Sequence, residues 1–152
     1  MLDQLSDQAV DEPRLRAHLV LHERADVPQR LVIAIEPGSY VRPHVHPVSE
    51  QWSGDESLIV LRGSAAVLLF DQQGAVTDRL RLACGESCQI PGGEGHSVVA
   101  LTPRCVLYEV KPGNRPVPDR RWLPGTLDDS QVSAARAQAR AWTRECSGMS
   151  DR

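Results

Sequence analysis

Between about residues 30 and 111 the apolar positions fall in short runs divided by glycine, proline and acidic turn residues. Leu31-Val32-Ile33-Ala34-Ile35 is apolar on both faces of an extended chain and closes at Pro37-Gly38. The run 58–61 ends at Arg62-Gly63 and 65–70 comes at once after it, which predicts a tight hairpin turn at Gly63. Asp71-Gln72-Gln73-Gly74 predicts a second hairpin, and 75–82, 86–90, 97–101 and 105–111 complete the series. Many short strands with turn signals between them predict a mainly β sandwich or barrel.

The flanks have a different period. Residues 1 to about 20 read as a polar helical lead-in with Leu2, Leu5 and Val10 as its few apolar contacts. Residues 112–125 hold four prolines and two glycines and predict an irregular strap. From Asp129 the pattern turns helical: Val132, Ala135, Ala139, Trp142 and Cys146 make one apolar stripe, and Asp129 or Ser130 can cap its start. Arg136, Arg140 and Arg144 form a separate row, read as a solvated basic face. The expected organisation is one domain over 1–152, with a barrel at about 28–111, the strap at 112–125 and a helix at about 129–146.

Composition narrows the function. The chain of 152 residues is 41% hydrophobic, enough for a real core, but only 4% aromatic, so that core is aliphatic. A net charge of -3 gives no basic field for nucleic acid and no attraction to a membrane surface. The apolar runs are far too short to span a bilayer, and the first residues lack the pattern of a signal peptide. Cys84, Cys88, Cys105 and Cys146 have neither disulfide-framework nor zinc-ribbon spacing. They are expected to be free, mostly buried thiols in a reducing cytoplasm.

Three of the five histidines sit in two glycine-punctuated segments. Gly38 leads to His44-Val45-His46, and Gly85 leads to Pro91-Gly92-Gly93 and then His96. Imidazole nitrogens together with a carboxylate suit a borderline divalent metal. Tyr40, Arg42, His44 and His46 are in phase, so an extended segment turns all four to one side. Glu56 is in phase with Leu58 and Val60, and a carboxylate opening the inward face of an apolar strand needs a partner. Lys111 is the only lysine among sixteen arginines and is in phase with Glu109. Arg42, Tyr40, Lys111, Glu109 and, more weakly, Gln29 are candidates to hold an anionic or hydroxylated ligand, with an electropositive barrel mouth expected from Arg42 and Lys111. His18 and His22 precede the first strong strand and read as surface or cap residues rather than ligands.

The order Gly38, His44, His46, then Glu56 and Gly63, then Gly85, Pro91, Gly93 and His96 resembles the two motifs of the cupin superfamily over about residues 38–100. More widely, over about 14–124, the chain resembles the WbuC-like cupin-fold metalloproteins through Val27-Pro28-Gln29-Arg30, Pro37-Gly38-Ser39-Tyr40-Val41-Arg42-Pro43-His44, Val60-Leu61-Arg62-Gly63 and Glu109-Val110-Lys111-Pro112-Gly113. The resemblance implies a conical barrel of antiparallel strands, a double-stranded β-helix, holding one divalent transition metal (zinc, iron, manganese or nickel) on His44, His46, Glu56 and His96. Three departures stand out. Glu50 meets the usual short spacing after His46, and only Glu56 meets the spacing to Gly63, so Ser53-Gly54-Asp55 reads as a small insertion. Ala100 replaces a frequent asparagine, and Gly113-Asn114-Arg115 replaces a glycine-proline-tyrosine run.

The function implied is that of a metal-binding cupin acting on a small polar metabolite, sugar-derived or anionic. By resemblance its context is bacterial surface-polysaccharide metabolism. Isomerase, lyase and dioxygenase chemistry, and non-catalytic ligand sensing, are all compatible with such a site. The doubly apolar strand at 31–35, with Trp122 and Trp142 outside the barrel, leads to the expectation of a homodimer.

Overall fold

The structure, a computed structural model, describes residues 1–113, 118–128 and 130–149. In chain order the elements are α1 (Leu2–Asp11), β1 (Arg16–Val20), β2 (Gln29–Ile35), β3 (His44–Val45), β4 (Glu56–Arg62), β5 (Ser64–Phe70), β6 (Val76–Ala83), β7 (Ser87–Ile90), β8 (Gly95–Ala100), β9 (Cys105–Lys111), β10 (Arg121–Trp122) and α2 (Val132–Ser147). Two five-stranded antiparallel sheets result, ordered β1-β2-β9-β4-β7 and β10-β3-β8-β5-β6.

Strand alternation distributes the apolar residues over three layers. Ile33 and Ile35 of β2 face between the sheets, with Leu58, Val60, Val67 and Leu107. Val32 and Ala34 of the same strand face outward, where Leu5 and Ala9 of α1 cover them. The second sheet repeats the arrangement. Ala65 and Val67 of β5 point inward, while Ala66, Leu68 and Phe70 point out beneath Trp142 and Cys146 of α2. A strand apolar on both faces is thus a strand between two layers of its own chain. Of the features that suggested a homodimer, β2 is covered by α1 and Trp142 by the second sheet, whereas Trp122 is 44% exposed.

Several expectations need correction. β4 and β5 belong to different sheets, so the hairpin expected at Gly63 is a corner that carries the chain from one sheet to the other. Gly63 takes a φ of +72° there, and a Cβ would overlap the Thr102 hydroxyl that accepts the Ser64 N–H. The turn at 71–74 does form a hairpin between β5 and β6, and the Asp71 carboxylate accepts the N–H groups of Gln73 and Ala75. The helical lead-in ends at Asp11, and β1 occupies its expected second half. α2 begins at Val132 without a side-chain cap; Ser130 bonds Asp128 instead, and Asp129 lies outside the described residues. Ala135, Ala139, Trp142 and Cys146 are buried as the stripe predicted, whereas Val132 is exposed. Arg136, expected on a solvated row, donates to the Pro13 carbonyl. β10 lies within the predicted strap, next to β3.

The interior is polarised along its length. In β9, Cys105, Leu107, Glu109 and Lys111 share the inward side, changing from apolar to charged toward one end. β2 does the same from Ile35 to Gln29, and Lys111 pairs directly with Gln29 across the two strands. Segment 47–55, which includes the expected insertion, is clamped to 91–93 at this polar end. The Gly92 N–H donates to Asp55 Oδ1 at 3.0 Å, and the Gly93 N–H donates to the His46 carbonyl at 2.9 Å. A Cβ on Gly92 would overlap the Ser53 carbonyl oxygen, which is backbone and cannot rotate away. Replacing Gly92 with Ala is therefore expected to destabilise the fold by about 1–3 kcal/mol, as overpacking does. The shift in denaturant midpoint checks this.

Candidate metal centre

The polar end is built by register. His44 of β3 pairs directly with His96 of β8, bringing their ring centroids to 4.4 Å. His96 shares the inward phase of Val98 and Ala100, and Glu56 that of Leu58 and Val60. His46 comes just after β3, held by the Gly93 contact. His44, His46, Glu56 and His96 are all buried, and each offers one ligand atom within 4.8 Å of the others.

The three imidazoles are oriented by one device. His44 Nδ1 faces the Arg42 carbonyl at 2.8 Å, His46 Nδ1 the Asp119 carbonyl at 2.7 Å, and His96 Nδ1 the Glu94 carbonyl at 3.0 Å. A carbonyl oxygen only accepts, so each Nδ1 carries the proton in these contacts and donates it. Each neutral ring is then left with a lone pair on Nε2, the tautomer a metal ligand requires. Burial and the neighbouring His96 lower the His44 pKa well below the usual imidazole value, keeping it neutral. His96 Nε2 is buried with no hydrogen-bond partner, and His46 Nε2 lies 2.9 Å from Glu56 Oε2. Two lone-pair atoms so close call for a cation or proton between them, so the donor set fits a divalent metal.

Burial pushes the Glu56 carboxyl up, but the opposing influences, led by the Lys111 ammonium, hold the pKa well below the usual carboxylate value. Lys111 Nζ lies 3.2 Å from Glu56 Oε2 and 2.7 Å from Glu109 Oε1, all three side chains being buried. Burial opposes the Lys111 charge, yet the attraction of Glu56 and then Glu109 leaves its pKa raised. Glu109 is raised by burial and then by the charge of Glu56.

These groups open on a cavity of about 350 Å³. His44, Glu56, His96, Glu109, Lys111 and Gln29 supply its polar lining, and Leu31, Ile33, Ile35, Val41, Leu58 and Val98 its apolar walls. Glu50 is exposed and outside the cluster. Tyr40 does not share the histidines' side: its ring stacks on Trp142 at 5.6 Å, and its hydroxyl accepts the Leu127 N–H. The shared phase fails because 40–43 is not strand, so the two-residue rule does not carry through to β3. Arg42 donates to Thr126 Oγ1 and lies over the Trp122 ring, lining a neighbouring cavity. Lys111 is held between two carboxylates rather than presented to the mouth as a lone cation. His22 is half-buried and accepts the Arg30 N–H. His18 is exposed on β1, as expected of a surface residue, and lines the cavity with Arg14, Arg16 and Arg120. The sequence pattern marked none of these four as site residues. The one available signal was that Arg16, His18 and Val20 alternate. The supporting roles of Trp52, whose ring edge meets His46, and of the Asp119 carbonyl carried no signal at all.

A family model described as "Domain of unknown function (DUF6016)" matches residues 1–82, which takes in His44, His46 and Glu56 and stops before His96. No curated protein matches the chain. Among solved structures, the polyketide cyclase RemF from Streptomyces resistomycificus is similar at a TM-score of 0.58 and 24% identity, over 83% of this chain and 82% of that one. A cupin-like protein from Thermotoga maritima is similar at 0.55 and 22%, over 79% and 84%. KdgF from Halomonas sp. is similar at 0.54 and 22%, over 70% and 84%. These likenesses show the fold, which is the cupin double-stranded β-helix.

Replacing Lys111 with Met leaves Glu56 and Glu109 buried without their shared cation. A loss of about 3–5 kcal/mol is expected, as for other broken buried pairs. Adding Glu109→Gln should recover part of it, and denaturant titration of the single and double variants measures both effects.

Proposed function

We propose that this protein, which belongs to the DUF6016 family, holds one divalent transition metal on His44, His46, Glu56 and His96 and acts with it on a small polar metabolite. One observation carries the proposal: three Nε2 atoms and a Glu56 oxygen converge at the inner end of a cavity, with every Nδ1 tied to a backbone carbonyl. The chemistry such an ion supplies when bound is Lewis-acid polarisation of a carbonyl or hydroxyl oxygen. Around it, Gln29 offers an amide at the cavity wall, and Leu31, Leu58 and Val98 give the ligand an apolar surface to lie against. Lys111 steadies the Glu56 charge, and Glu109 holds Lys111 in place. The WbuC-like stretches support a sugar-derived metabolite of bacterial surface-polysaccharide metabolism. Four unpaired cysteines fit a reducing cytoplasm.

Protein purified without chelator should carry close to one equivalent of a divalent transition metal by elemental analysis. Glu56→Gln should weaken metal binding by at least about tenfold, the lower end of what losing even an outer-shell partner costs. Glu50→Gln should leave it unchanged. Metal-free protein that takes up no metal on reconstitution would overturn the proposal.

A further inference from the structure

The cavity at the candidate metal site is not isolated. A second cavity of about 410 Å³ adjoins it, and Arg14, Arg16, Val41 and Arg120 line both. Three of the four residues at the junction are arginines, in a chain whose net charge is -3. Arg14 and Arg16 are neighbours at the start of β1, and Arg120 joins them from the approach to β10, more than a hundred residues away in sequence. The junction is also held in place. Arg16 donates to the Tyr40 carbonyl at 2.8 Å, and Arg120 is paired with Asp119 at 3.2 Å. The Asp119 carbonyl is the one that orients His46. Trp122 lies beneath Arg42 and Arg120 and meets His44 edge-on.

We propose that Arg14, Arg16 and Arg120 form a collar that binds the anionic end of the ligand, a carboxylate or phosphate, while its other oxygens reach the cavity at the candidate metal site. The inference rests on the metal-site reading for the second half only. Guanidinium groups match either anion with paired N–H donors, and in a partly enclosed junction such contacts outweigh neutral ones. The field they make is felt nearby: after burial, Arg16, Arg14 and Arg120 are the main reasons why the His18 pKa is lowered. The assignment differs from the expected anion site at Arg42 and Lys111, because Lys111 is buried between two carboxylates, Glu56 and Glu109, whereas Arg120 is paired with one, Asp119, and Arg42 lines only the outer cavity. Two joined cavities also select length, so the ligand is larger than a bare two-carbon acid.

The test compares gluconate, glucose 6-phosphate and glucose, which share a six-carbon polyhydroxy skeleton and differ in charge. Binding is read by calorimetry and by Trp122 fluorescence, with Trp122→Phe as the optical control. Both anions should bind, and glucose should bind roughly ten- to a hundred-fold more weakly, the difference a charge-assisted contact makes. Which anion binds more tightly distinguishes carboxylate from phosphate. Arg14→Gln should remove that discrimination with metal content unchanged, and Arg14→Lys should restore part of it. Equal binding of glucose and both anions, no binding of either anion at millimolar concentration, or Arg14→Gln binding as wild type overturns the collar. Anion discrimination in protein that takes up no metal would keep the collar and sink the metal reading. Metal uptake without discrimination would do the reverse.

Discussion

A carboxylate buried in a barrel has to be compensated, and the polar end of this molecule is arranged around that requirement. Glu56 is 5% exposed, at the start of a strand that is otherwise core. Lys111 reaches it from β9 and supplies an opposite charge, whereas His46 and His96 approach from the other side with Nε2 atoms that only a shared cation or proton reconciles with the carboxylate. Lys111 in turn is shared with Glu109. None of these groups is tolerable there alone, since each is charged or carries an unsatisfied lone pair and is buried. The cluster therefore ties the relative position of the two sheets to the chemistry of the site.

Backbone carbonyls do the second part of the work. Arg42, Glu94 and Asp119 each lend a carbonyl to one Nδ1, and these carbonyls lie outside the strands that carry the histidines. The irregular stretch before β10 is thus part of the site even though none of its described side chains is in the metal cluster. The same stretch supplies Arg120 to the cavity junction, so the carbonyl that orients the His46 ring and a charge at the mouth come from neighbouring residues, Asp119 and Arg120. This adjacency gives substitutions around 119–120 a double effect, on the ring of His46 and on the charge at the mouth.

The division of labour between the two ends of the barrel comes from the strands themselves. β2 and β9 each run from aliphatic to polar on one inward face, from Ile35 to Gln29 and from Cys105 to Lys111. The aliphatic end packs tightly and fixes the register; the polar end inherits that register and needs no separate scaffold.

Much of this was legible in the sequence, because side-chain alternation is a local property. The period-two runs located most of the strands, the helical stripe located α2, and the spacing to Gly63 and the phase with Leu58 and Val60 favoured Glu56 while leaving Glu50 as an alternative. Spacing also brought His44, His46 and His96 under suspicion. What local pattern cannot express is which strands pair. The corner at Gly63, read as a hairpin, joins two sheets, because hydrogen-bond partners are chosen across long stretches of chain. Phase also fails outside strands, which is why Tyr40 lies against Trp142 rather than beside the histidines. The arrival of Arg120 beside Arg14 and Arg16, and of Glu56 beside the Glu109–Lys111 pair, depends on contacts between residues far apart in sequence. The sequence by itself determined the elements, the donor set and the aliphatic core; the tertiary structure alone decided their neighbours, because pairing and charge compensation are properties of positions in space.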